Sequence, residues 1–143
     1  MKTAFTATIV LGIFGLLTSA CGNDSSPTTA PTTTGPSTEV FSGTLPVQGS
    51  SFYSFTVVTS GQVSITLASL VATPPGPALK NVVGLGVGTP LETDCNVTNS
   101  VTAAPGLTAQ LASSLTPAIY CVRIYDLGNL TVPVNFSIRI VHH

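Results

Sequence analysis

The chain reads as an all-β protein, a two-sheet antiparallel β-sandwich of about seven or eight short strands with jelly-roll-like character, set behind an apolar leader and a disordered linker. Three observations predict it. Short runs alternate apolar and polar residues with a period of two, as a strand with one buried face requires. Clusters of Gly, Pro and Ser separate those runs, where turns need them. No long apolar period of 3.6 residues occurs outside the leader, so almost no helix is expected.

The first segment is residues 1–20. Met1-Lys2 supplies a positive start, and Phe5 to Ala20 is apolar. A run of about 16 residues falls short of the roughly 20 that cross a bilayer as a helix. Charge, apolar core and small residues before Cys21 together read as an export signal. Leu17-Thr18-Ser19-Ala20-Cys21 resembles the lipobox of bacterial lipoproteins. The resemblance implies cleavage before Cys21, acylation of Cys21 and permanent attachment to a lipid bilayer, since several acyl chains hold where one does not. Gly22 follows the Cys where an inner-membrane protein of that family has Asp, which points to the outer membrane. An ordinary signal peptide cut after Ala20 and an uncleaved anchor are the competing readings.

Residues 21–38 form the tether. Gly22 to Thr38 reads GNDSSPTTAPTTTGPST and holds no large apolar residue, so burial cannot offset the entropy of ordering it. Pro27, Pro31 and Pro36 favour extended segments, and at about 3.1 Å per residue the stretch reaches on the order of 50 Å. It is a spacer, of a composition that also suits O-linked sugar.

Residues 39–141 are the expected sandwich. Tyr53, Phe55 and Val57 alternate with Ser54 and Thr56; Val63, Ile65 and Leu67 alternate with Ser64 and Thr66. Ser60-Gly61 between them suggests a tight hairpin. Thr73-Pro74-Pro75-Gly76-Pro77 is a loop, because its prolines cannot feed a ladder. In Val82 to Gly88, VVGLGVG, one face carries Val83, Leu85 and Val87 and the other carries glycines. No helix follows, which excludes a phosphate-cradling loop; the glycines instead let another backbone or loop approach closely. Leu107, Ala109 and Leu111 suggest a further strand. Tyr120, Val122 and Ile124 form one row, opposite Ile119, Cys121, Arg123 and Tyr125; Val134, Phe136, Ile138 and Ile140 form another. These last two strands are expected to pair antiparallel across the turn Asp126-Leu127-Gly128-Asn129.

These motifs resemble the bacterial pre-peptidase C-terminal domain family. The parts that carry the likeness are Phe41-Ser42-Gly43-Thr44-Leu45, Phe52 to Val57, Val63-Ser64-Ile65-Thr66-Leu67, Tyr120-Cys121-Val122-Arg123-Ile124 and Phe136-Ser137-Ile138-Arg139-Ile140. The resemblance implies a domain that follows secreted peptidases, and hence an accessory acting in trans with a secreted enzyme as an alternative function. Some members bind calcium through acidic loops. Here Glu92, Asp94 and Asp126 form no recognisable ligand run, so no metal site is carried over. No cofactor is implied.

Charge and cysteines narrow the function. Charged residues are 6% of the chain and the net charge is −1. After the leader Lys80, Arg123 and Arg139 are the only cations, which excludes a nucleic-acid surface. With Cys21 acylated, Cys95 and Cys121 remain as an even pair, read as a structural disulfide outside the cytoplasm. Cys95 is placed in a polar loop and Cys121 in a strand. A nucleophilic Cys lacks a His in the body of the domain, and a zinc site lacks ligands. Glu92 and Asp94 make no supported acid/base pair. His142-His143 read as a frayed terminus or tag remnant. Arg123, Arg139, Tyr125 and Asp126 form a candidate surface patch, either a ligand site or, as the plainer reading, a solvated sheet face with cross-strand partners. The expected protein is therefore a non-catalytic, lipid-anchored envelope protein whose domain binds a protein or glycan or serves a structural role. A small hydrolase with an unrecognised site is the remaining reading.

Overall fold

The computed structural model describes residues 35–143 apart from Pro75. The leader, Cys21 and the tether as far as residue 34 lie outside the described residues. Eight strands follow one another: β1 (Ser37–Leu45), β2 (Ser50–Val57), β3 (Gly61–Ala72), β4 (Val83–Pro90), β5 (Cys95–Ala103), β6 (Leu111–Leu115), β7 (Ala118–Tyr125) and β8 (Val134–His142). They form two four-stranded antiparallel sheets, ordered β1-β8-β3-β6 and β2-β7-β4-β5. β1 begins at Ser37, two residues inside the stretch assigned to the tether.

The topology has a simple origin. β1 pairs with β8, β2 with β7, β3 with β6 and β4 with β5. The chain is thus one long hairpin with its tip at Leu91–Asp94, rolled up so that β3 also meets β8 and β4 also meets β7. This is a jelly roll. The alternating rows become its interior. Val63, Ile65 and Leu67 of β3, Leu85 of β4, Val122 and Ile124 of β7, and Phe136, Ile138 and Ile140 of β8 are buried between the sheets. Each such side chain contributes about 1.5–3 kcal/mol of burial.

Rolling overturns two pairings expected from local sequence. β7 and β8 are not partners: they lie in different sheets. The Asp126–Pro133 connection is too long for a tight hairpin and carries the chain across the sandwich instead. Nor is Ser60-Gly61 a hairpin, because β2 and β3 also belong to opposite sheets. The crossing at Val58-Thr59 is held from outside, where both backbone N–H groups donate to the His143 carbonyl at 3.3 Å.

Three smaller expectations are also corrected. The sixth strand is Leu111–Leu115, not the Leu107 region. Leu107 is 92% exposed, and its neighbours dock as a loop: the Gly106 N–H donates to the Leu67 carbonyl, while the Gln110 amide accepts from the Leu67 N–H at 2.7 Å. That loop fills the irregularity in β3 between Leu67 and Ser69. Cys95 opens β5 rather than sitting in a loop. Finally, His142 is no frayed end. It belongs to β8, is only 4% exposed, and its Nε2 lies 2.7 Å from Glu39 Oε1. Its ring packs beside Phe55, with centroids 5.6 Å apart. Period-two burial in β8 explains this: His142 follows Ile138 and Ile140 on the inward face.

A candidate binding site at one end of the sandwich

The site begins with the glycines of β4. Val83, Leu85 and Val87 face the core, and Gly84, Gly86 and Gly88 face outward, yet all six are buried. What covers the glycines comes from both neighbours. A Cβ at Gly84 would enter the Tyr125 ring, so that ring lies against the bare backbone. A Cβ at Gly86 would sit 2.6 Å from a Val97 methyl. At Gly88 it would run into the Asn96 carbonyl oxygen. Asn99 pairs with Val87 but Val97 pairs with Gly88, so Thr98 is an extra residue. This bulge folds the start of β5 over β4.

The fold-over lets the cysteines meet. β5 and β7 are separated by β4, and strands two apart normally lie about 9.5 Å from each other. Cys95 and Cys121 nevertheless have Cα atoms 5.8 Å apart and are joined by a disulfide. The bridge straps the hairpin tip onto the second sheet across a glycine.

Beside this strap lies an open depression of about 520 Å³, lined by Gln48, Gly49, Ser50, Val97, Arg123, Tyr125 and Asp126. Arg123 pairs with Gly86 of β4. Its Nη1 donates to Asp94 Oδ2 at 3.3 Å and its Nη2 to Ser50 Oγ at 3.2 Å. Its Nε is buried without a hydrogen-bond partner among the described residues. The guanidinium carbon stands 6.0 Å from the Tyr125 ring centroid, at the limit of a cation–π contact. Such a half-exposed ion pair adds at most about 1 kcal/mol to stability.

Asp126 acts as a clamp. Its Oδ2 accepts the Gln48 N–H at 2.8 Å; its Oδ1 accepts those of Gly128 and Asn129 at 2.9 Å and of Leu130 at 3.2 Å. The Gln48 bond above all, then those of Asn129, Leu130 and Gly128, holds the carboxyl below the ordinary carboxylate range, against a desolvation effect that raises it. A lowered folded-state value means that stability is fully present above the unfolded carboxylate value of about 3.9 and is lost as pH falls through the folded value. Asp126→Asn places an NH₂ or a weaker acceptor against these donors. Urea midpoints are expected to be lower for Asp126→Asn at about pH 7 and to converge with the parent protein near pH 2. A difference that stays constant across that range would refute the clamp.

Of the four patch residues expected from the sequence, the structure brings three together. Arg123, Tyr125 and Asp126 line the depression. Arg139 does not. It lies on β8 in the other sheet, where its Nη2 donates to the Leu107 carbonyl at 3.1 Å. Asp94, read only as a loop carboxylate, is the partner of Arg123 and accepts the Cys95 N–H at 2.8 Å. Gln48 and Ser50 carried no signal at all, because they reach the site from a turn distant in sequence. Among the described residues no three His, Cys, Asp or Glu side chains cluster as metal ligands. His142 and Glu39 sit at the opposite end of the sandwich, where Ser37 pairs with His142.

No family model matches the chain, and no curated protein matches it. The likeness to the pre-peptidase C-terminal family therefore rests on the strand motifs.

Proposed function

We propose that this chain is a non-catalytic lipoprotein of the bacterial envelope, with its jelly roll held off the bilayer by the tether and used to bind a ligand. The observation that carries the reading is the Cys95–Cys121 bridge. It accounts for two of the three cysteines and leaves Cys21, directly behind Leu17-Thr18-Ser19-Ala20, as the odd one. A structural disulfide also fits an oxidising compartment, which an export signal would reach.

The geometry of the sandwich agrees with a binding role. Ser37, where the chain enters β1, pairs with His142, whereas the depression lies by Ser50 and Tyr125 at the other end. The start of β1 and the depression are thus at opposite ends of the sandwich. Asp126 and Asp94 are occupied by structural hydrogen bonds, which suits recognition better than acid/base work.

Intact-mass measurement of the membrane-extracted protein tests the anchor. The expected mass corresponds to a chain starting at Cys21, with acyl chains added and the two hydrogens of one disulfide lost. Cys21→Ala is expected to move the protein out of the acylated, detergent-extracted pool. A mass that retains the first twenty residues, or an unmodified Cys21, would overturn the proposal.

A further inference from the structure

The turn between β1 and β2 contains a residue that the backbone does not favour. The Gly49 N–H donates to the Pro46 carbonyl at 3.0 Å, closing a four-residue turn. Its third residue, Gln48, has φ 55°, while glycines supply the usual answer to that geometry. A side chain in this left-handed region costs on the order of 1 kcal/mol. Gln48 is nevertheless there, its N–H fixed by Asp126 at 2.8 Å. Its side-chain amide is exposed, lines the depression and makes no hydrogen bond among the described residues. The turn geometry gains nothing from that side chain.

The rest of the depression defines what the amide could meet. Tyr125 is an aromatic plate with one side laid on the bare backbone of Gly84, and it lines the cavity. Around it stand the Ser50 hydroxyl, the Arg123 guanidinium and the Gln48 amide. The guanidinium is already neutralised by Asp94, and Asp126 adds a second negative charge, so the site does not favour an anion. Val97 is the only aliphatic side chain in the lining. That is too little for the apolar anchor cluster on which protein partners depend. A supported aromatic face ringed by hydrogen-bonding groups, with the guanidinium's charge offset by Asp94, matches one ligand chemistry: a sugar ring, apolar on its C–H face and hydroxylated at its rim. The volume of about 520 Å³ lies within the range of small-ligand cavities, roughly 300–1,000 Å³.

We infer that the Gln48–Tyr125 depression is a binding site for a neutral saccharide, with Tyr125 as the stacking platform and Gln48 as a specificity-determining hydrogen-bonding residue. The inference rests on the reading of the domain as a binding module and names its ligand class.

The test uses the full chain, extracted in a detergent without sugar headgroups. It is applied to an array of neutral and acidic oligosaccharides, and captured glycans are titrated by tyrosine fluorescence. The chain has three tyrosines and no tryptophan, so Tyr125 contributes a large share of the signal. At least one neutral oligosaccharide is expected to bind. Gln48→Gly is expected to weaken it roughly tenfold, about the worth of one well-placed hydrogen bond, while the melting temperature stays equal or rises, because glycine suits the turn. Tyr125→Phe, which keeps the plate but removes the reporter, is expected to retain capture on the array. Capture of acidic glycans alone, no glycan bound, or a Gln48→Gly protein that binds as the parent does would each overturn the inference. An envelope protein captured in a Gln48-dependent way with no glycan bound would overturn the saccharide but leave the anchored binding module standing. Saccharide binding by a protein that lacks acylation at Cys21 would do the reverse.

Discussion

Gly88→Ala is expected to prevent the Cys95–Cys121 bridge from closing and to cost about 4–6 kcal/mol. The cost depends on what the new methyl meets. At Gly84 the obstacle is the Tyr125 ring, a side chain that can swing away. At Gly88 it is backbone, the Asn96 carbonyl and the Val97 Cα. Backbone can yield only if the folded-over start of β5 lifts off the sheet. Cys95 leads that segment and must come within 5.8 Å of Cys121, Cα to Cα. Overpacking alone costs about 1–3 kcal/mol, and the lost cross-link adds its own share. The total approaches the whole stability of a typical small domain, about 5–15 kcal/mol. Thiol titration in a Cys21→Ala background, with and without denaturant, checks the bridge; a urea titration checks the stability. Gly88→Ala with a complete bridge and the parent midpoint would show that the glycine is not needed for close approach.

Removing the bridge without disturbing the glycine isolates the second effect. Cys95→Ala together with Cys121→Ala is expected to lower stability by about 3.5 kcal/mol, from the chain-entropy cost of the opened loop. The loop closed by the bridge spans a sequence separation of 26 residues. For a domain of this size that corresponds to a drop of roughly 15–25 °C in melting temperature. The same change is expected on reduction of the unmutated protein. Calorimetry with and without reductant reads it directly, and coincident transitions would remove the strap from the list of stabilising features.

The alternation of side chains was legible in the sequence because each strand has one face in the core. Val63-Ser64-Ile65-Thr66-Leu67 and Phe136-Ser137-Ile138-Arg139-Ile140 announce their inward rows residue by residue. The glycine face of Val83–Gly88 announced a close approach, and the approach is there. Partner choice was not legible. β7 and β8 are adjacent in sequence and carry the two strongest apolar rows, yet each pairs elsewhere. Nothing in a period of two says which sheet a strand joins. The same blindness split the arginines, since Arg123 and Arg139 share a sequence pattern but not a sheet. Charge and position likewise failed at His142. A histidine beside the last residue reads as solvated, and only the antiparallel register that sets it near Glu39 and Phe55 reveals its burial.

The nested pairing has a consequence for how the protein comes into being. Among the described strands β1 pairs only with β8, so β1 waits for a partner synthesised about a hundred residues later. A nascent polypeptide shortened by its final strand has nothing to zip its opening strand against, and β3 loses one of its two ladders. Contacts of such wide sequence separation close slowly, on a scale of milliseconds to seconds. The sheet that holds β1, β3 and β8 therefore closes late, once Val134–His142 are available.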